Sequence, residues 1–437
     1  MNKKIFKSFL NIFKKKAKKF TDKRKGKNIS IAIEDIVLSA FSMFFMQSSS
    51  FLEFQREMQS KEGRNNAKSL FEIERIASDN HIRDILDYID PSHLKDMYEE
   101  QLGYLKNAKI LDAYKWMGKY LIPLDGTEYH SSKKICCKNC LTKEHKEGEI
   151  TYSHQAVTPV IASPKMKQVI SLMPELIKNE DGTEKQDCEI NASKRWLKSS
   201  KPLNLEAILL GDDLYAHEPF CRDTLKNGYS FIFVAKRDSH KVMYEHIDFL
   251  QGINEIDTHE TIQGKANEKE IWKYRFVEDV PLNGNKDALK VNWIELKVFD
   301  KKTGKQTYEN AFITDIKITK KSAYEIALGG RTRWKVENEN NNTLKTKGYH
   351  LEHNFGHGKE HLSGFLFTLN ILAFLFHTVL DFLDEDYAKA REKSPRAEFF
   401  KEIEVLTKHL YFDSWESLML FMIRDRDSPK IHASDFI

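Results

Sequence analysis

Between residues 119 and 238 the apolar residues come in short runs, and two of these, in KYLIPLDGTEY and NLEAILLGDD, stop at an acid beside a glycine. Runs of four to six apolar residues closed by turn formers read as buried strands; a helix would need a longer, 3.6-periodic pattern. One strand therefore ends at Asp125-Gly126 and another at Gly211-Asp212. TYSHQAVTPVIAS and KQVISLMPELI read as two further strands, separated by turn chemistry at Pro164. EKQDCEINASKRWLKSS and EPFCRDTLKNG read as helices, and YSFIFVAKRD as a last strand. Three strands, helix, strand, helix, strand is an α/β layer pattern, with acids at two of its strand ends.

The rest of the 437-residue chain is arranged around that core. Residues 1–118 read as a helical region, with apolar positions three and four apart in SLFEIERIASDNHIRDILDYI and a break at Asp90-Pro91. Residues 119–238 form the first part of the core. Residues 239–316 alternate like strands (KEIWKYRFVED, LKVNWIELKVFD, QTYENAFITDI) and read as a β-rich insertion. The core resumes over 317–385 with the helix RTRWKVENENNNTLKTKGY, and 386–437 is a charged helical tail. LSGFLFTLNILAFLFHTVL (362–380) is the one membrane-like run. Asn370 and His377 lie inside it, so it is expected to be a buried core helix and no membrane partner is expected.

Charge is unevenly spread. The chain carries a formal +4, but residues 1–28 hold 12 Lys/Arg against the single acid Asp22, leaving the remainder at −7. A basic arm on a mildly acidic body suits a polyanion such as DNA. Ile5, Phe6, Phe9, Leu10, Ile12 and Phe13 recur among its lysines at helical spacing. An amphipathic helix follows, which either packs its apolar stripe on the body or offers Lys14, Lys15 and Lys16 to DNA. Lysines interrupt the apolar positions too often for a signal peptide. The five cysteines do not form a disulfide framework, which fits a reducing cytoplasm.

Cutting a phosphodiester with metal ions needs carboxylates that converge on two cations, one activating the attacking oxygen and one stabilising the leaving oxygen. Mg²⁺ suits this, since it takes hard oxygen ligands and keeps room for phosphate. Asp125 and Asp212 stand at strand ends, and Glu337 on the later helix could supply the third carboxylate. Asp213 competes with Asp212, but strand alternation turns it to the other face. Glu339 competes with Glu337, yet only Glu337 has Arg333 one turn before it. Asn341 shares that face, and Lys345 lies close enough to reach the same phosphate.

Asp125-Gly126-Thr127, the block Gly211-Asp212-Asp213-Leu214-Tyr215, and Arg333-Trp334-Lys335-Val336-Glu337-Asn338 together resemble the DDE transposases of bacterial insertion sequences, in the subgroup with β-strands inserted between the second Asp and the Glu. The resemblance covers about residues 119–380. It implies a ribonuclease-H-like fold: a mixed α/β sheet flanked by helices, with an inserted β-rich domain and a helical N-terminal region. It also implies two Mg²⁺ or Mn²⁺ ions held by Asp125, Asp212 and Glu337, with Arg333 and Lys345 on DNA. The expected partners are double-stranded DNA with terminal inverted repeats and a target DNA. A homodimer would synapse two ends, and nicking would be followed by attack of a 3′-hydroxyl. The family's Tyr, Arg, Glu, Lys signature is incomplete: Gly330 holds the Tyr position, with Tyr324 as a substitute hydroxyl, and seven residues rather than six separate Glu337 from Lys345. Trp272 and Trp293 are candidates for stacking on a flipped base, against the commoner role of core tryptophans. The alternatives are a catalytically silent DNA-binding derivative and a related metal-dependent nuclease.

Cys137 and Cys140 form a CxxC beside Cys136, between His130 and His145. A Cys pair with two His can bind structural Zn²⁺, but no second pair completes the motif, so free thiols on a hairpin are the expectation. His350, His353, His357 and His361 form a second group. Gly356 and Gly358 argue against one continuous helix there, and phosphate contacts or simple linkage are expected ahead of a metal.

Overall fold

The computed structural model describes residues 5–25, 29–58, 65–179, 186–264, 269–392 and 394–427. The ends of the basic arm (1–4 and 26–28) and of the tail (428–437) lie outside the described residues. Strands β1 (Lys115–Trp116) and β2 (Lys119–Pro123) form a tight antiparallel hairpin. β3 (Gly126–Ser132), β4 (Leu141–Glu144) and β5 (Ile150–Val157) make a small antiparallel sheet in the order β3-β5-β4. β6 (Val160–Ile161) pairs with β7 (Ile170–Ser171), and β8 (Glu175–Ile177) adds to β5. β9 (Ala207–Gly211) and β10 (Ser230–Val234) are wholly buried. β11 (Asp257–Gln263), β12 (Glu270–Pro281), β13 (Lys290–Asp300) and β14 (Gln306–Thr314) complete the set.

Eight of these form one mixed sheet, ordered β1-β2-β9-β10-β14-β13-β12-β11. β2, β9 and β10 run parallel, as buried apolar strands joined through helices do, and β10 to β11 are antiparallel. Just past its pairing with β1, β2 meets the end of β6, where Ala162 N–H donates to the Leu121 carbonyl at 2.9 Å in an antiparallel bridge. The acid-ended strands β2 and β9 are therefore parallel neighbours, and their C-terminal ends open on the same edge.

The segment expected to be an inserted module differs in two respects. It begins with a helix, Lys241–Gly252, that buries Met243, Tyr244 and Ile247. Its strands also continue the central sheet: β14 pairs with β10 in the register Ile232–Thr314 to Val234–Phe312. One apolar cluster covers a face of both parts, uniting Leu121, Ile208 and Ile232 with Ile294, Phe312 and Ala327.

The opposite face is covered by helices. Leu362–Leu383 is long and apolar enough to cross a membrane, but it is mostly buried within the protein, as a core helix is. Its Phe376 ring lies 4.1 Å from Phe9 of the first helix, Ile5–Ala17, and 5.7 Å from Phe45 of the second, Ile33–Phe45. Trp415 of the C-terminal helix stacks on Phe6 at 4.5 Å. The two ends of the chain thus share one aromatic core.

Candidate active site

Asp125 follows β2 after one residue, and Asp212 directly follows β9. The turn beyond Asp125 is held by Glu189, the first residue of the helix Glu189–Ser199. Its Oε1 accepts the Gly126 N–H at 3.0 Å and the Tyr215 hydroxyl at 2.6 Å. A Cβ at Gly126 would collide with the Glu189 carboxylate, and one at Gly211 would come within 2.7 Å of Tyr215. Gly211 thus permits a close approach of Tyr215 that a side chain would block, while a side chain at Gly126 would displace the Glu189 carboxylate from its hydrogen bond.

Glu337 lies in a π-helical turn, Val336–Asn341. π-Turns insert a residue and redirect side chains, and they recur at functional sites. Here Asn341 Nδ2 donates to Asp125 Oδ2 at 3.1 Å, while its Oδ1 accepts from Thr158 Oγ1 at 2.8 Å. Asn340 Oδ1 accepts from Ser171 at 2.7 Å. The paired asparagines fasten the turn that carries Glu337 to Asp125 and to the β5–β7 region. Arg333 lies 3.8 Å from Glu337, one turn before it.

Burial pushes the Asp125 carboxyl up to about 7, and the negative charges of Glu189, Glu337 and Asp212 push it the same way, while Arg333 opposes them. These side chains therefore share one electrostatic neighbourhood. Glu189 is itself raised, by burial and by Asp212, against the hydrogen bonds from Tyr215 and Gly126. Asp213 turns away: it accepts from Lys236 N–H at 2.6 Å and from the Ser239 hydroxyl. Asp212 accepts a single backbone N–H, from Leu214 at 2.9 Å. Among the described residues the acids do not bring three ligand atoms within 4.8 Å of one another.

The other expected participants have these surroundings. Lys345 pairs with Glu352 at 2.8 Å. The additional residue between it and Glu337, together with the π-turn, removes the simple helical register on which its placement depended. Gly330 faces Phe312, whose ring lies 2.8 Å from where a Cβ would sit, so no tyrosine fits there. Tyr324 packs toward Trp272, with ring centroids 5.5 Å apart. Trp272 and Trp293 are both buried and act as core residues. Trp334, beside Arg333, is 40% exposed. Of the arm lysines, Lys14 donates to the Glu72 carbonyl at 2.6 Å and Lys16 to Asp96 at 2.5 Å, while Lys15 is exposed.

Glu189 is the residue the sequence reading missed. An acid opening a helix ordinarily complements the helix dipole, and nothing local marks it as a neighbour of Asp125. The histidine groupings also differ. Cys137 and Cys140 meet His154 and His357, whereas His145 bonds Thr151 at 2.8 Å. His350, His353 and His361 do not join them, and the segment around them is irregular, as Gly356 and Gly358 indicated.

Neither the protein-family models nor the curated proteins include a match to this chain.

Proposed function

We propose that this protein is a DDE-type DNA transposase, cutting transposon ends and joining the freed 3′-hydroxyl to target DNA. The observation that carries the reading is geometric: Asp125 and Asp212 end adjacent parallel strands, and Asn341, on the π-turn that holds Glu337, donates to Asp125 at 3.1 Å. Parallel β2 and β9 with acids at their ends, the antiparallel β6–β7 pair beside β2, and a helical glutamate across that edge fit a ribonuclease-H-like core.

A divalent cation suits the site on donor chemistry. The hard carboxylate oxygens of Glu189, Glu337 and Asp212 add negative charge around Asp125, against which Arg333 acts. Asp125, Asp212 and Glu337 would hold two Mg²⁺ or Mn²⁺ ions, which when bound supply Lewis-acid activation of the attacking and leaving oxygens. The chain's own residues do the positioning. Asn341 fixes the Asp125 carboxylate, Glu189 and Tyr215 lock the turn behind it, and Arg333 offers a guanidinium to a phosphate oxygen. Trp334, next to Arg333, and Leu214, two residues after Asp212, are exposed and would give a base or sugar an apolar surface. Terminal inverted repeats, a target duplex, a synaptic homodimer and a cytoplasmic setting belong to this same reading.

The test is cleavage and strand transfer on DNA carrying the element's own ends. Asp125→Asn, Asp212→Asn and Glu337→Gln should each abolish Mg²⁺-dependent cutting and leave DNA binding within about twofold. Wild-type cutting by the Asp125 and Glu337 variants would end the proposal, and cutting without joining would redirect it to a nuclease.

A further inference from the structure

Apart from Asp125, Asp212 and Glu337, four potential metal ligands converge from three parts of the chain. Cys137 and Cys140 come from the loop before β4, His154 from β5, and His357 from the loop leading into the helix Leu362–Leu383. Cys137 Sγ and Cys140 Sγ are 3.8 Å apart, and each lies 3.5 Å from His154 Nε2. Cys140 Sγ lies 3.4 Å from His357 Nε2. A tetrahedron with Zn–S of about 2.3 Å and Zn–N of about 2.0–2.1 Å requires S···S near ~3.8 Å and S···N near ~3.5 Å. All four measured separations agree with those edges.

The ring orientations point the same way. His357 leaves a buried Nδ1 without a hydrogen-bond partner while presenting Nε2 to sulfur. Hydrogen bonding alone would not favour that choice, since sulfur is a weak partner and an orphaned buried nitrogen is costly. The cysteines are free thiols rather than a disulfide.

We propose that Cys137, Cys140, His154 and His357 form a structural Zn²⁺ site that clamps the small β3-β5-β4 sheet to the segment linking the Glu337 turn with the helix Leu362–Leu383. Four protein ligands close the coordination sphere, so the ion has no open position for substrate and is not one of the catalytic cations. Neighbouring contacts brace the same junction. Asp87 accepts the backbone N–H groups of Lys359, Glu360, His361 and Leu362 at 2.9–3.1 Å, and Lys138 pairs with Glu360.

The experiment is metal analysis of the full-length protein purified without chelator, with Co²⁺ exchange as a spectroscopic readout. About one zinc per chain is expected, and the Co²⁺ form should show intense tetrahedral d–d absorption with thiolate charge transfer. Cys140→Ser and His357→Ala should weaken binding by at least about 100-fold, more than the 10–100-fold typical of losing an outer-shell partner. Cys136→Ser and His145→Ala, adjacent in sequence but outside the cluster, should retain the metal. Folded wild-type protein without stoichiometric zinc overturns the proposal, whatever the variants do. So does equal loss in Cys136→Ser, or a Co²⁺ spectrum without thiolate character. Zinc content in Asp125→Asn should match wild type, which separates this site from the proposed catalytic one.

Discussion

Asp125 is where function and stability oppose each other most directly. Its carboxyl is raised from 3.8 to about 7 in the folded chain, by burial and by three neighbouring acids. Below about pH 4 both folded and unfolded chains hold the proton, so the residue is neutral in effect. Between pH 4 and 7 the unfolded chain releases the proton while the folded chain keeps it, and stability falls as pH rises. Above pH 7 the loss is complete, at most roughly 4 kcal/mol. Asparagine keeps the shape and escapes this cost. In EDTA, Asp125→Asn should therefore melt higher than wild type at pH 8, with the gap closing toward pH 4, as thermal unfolding across that range would show. Parallel melting temperatures from pH 4 to 8 would refute the account. Mn²⁺ should narrow the gap at pH 8 by stabilising only wild type. At this scale the strand-end acids were legible, because an apolar run closed by Asp-Gly or Gly-Asp is a local pattern. Glu189, His154 and His357 were not. His357 meets Cys140 across 217 residues of sequence, and no spacing rule spans that distance.

Among the elements, the first helix is amphipathic as its spacing indicates, and its apolar stripe packs on the body. Ile5, Phe6, Phe9, Leu10 and Phe13 are all buried, so the stripe belongs to the core and removal of residues 1–28 would unfold the helical layer as well as lower charge. Point substitutions separate the two roles. Phe9→Ala should cost about 3–5 kcal/mol, measured by urea unfolding. Lys15→Glu should leave that midpoint within about 0.5 kcal/mol. If the exposed face touches DNA, the same substitution lowers the salt dependence of binding by about one phosphate contact. An unchanged slope would confine the helix to packing. The helix Lys241–Gly252 was missed although Met243, Tyr244 and Ile247 recur at helical spacing, because the strongly alternating segments that follow it set the reading of the whole stretch. The π-turn at Val336–Asn341 has no sequence signature. It arises where Asn340 and Asn341 both find partners on β5–β7 residues.

For the molecule as a whole, the strand pattern disclosed an α/β core but not the extent of its sheet. A β-rich stretch between two acids reads equally well as a separate module or as added strands, since pairing partners are set by packing and not by local pattern. Here β14 hydrogen-bonds to β10, and Ile232 and Phe233 lie against Thr314 and Ile313. The cluster that buries Trp116 and Ile208 also buries Trp272 and Ile294. A core that shares strands and side chains in this way unfolds as one unit. In urea, far-ultraviolet circular dichroism and tryptophan emission should follow a single coincident transition, because Trp116 and Trp272 lose the same cluster together. Replacing residues 241–316 by a short linker would leave β10 an unpaired edge, with the apolar faces of Ile232 and Val234 exposed. The expected product is aggregated or molten, without a cooperative transition. An autonomous insertion predicts the reverse on both counts: two separable transitions in the intact chain, and a soluble, cooperatively folded remainder after excision. Either of those results would return the segment to the status of a module and detach the spacing of Asp212 and Glu337 from the integrity of the sheet.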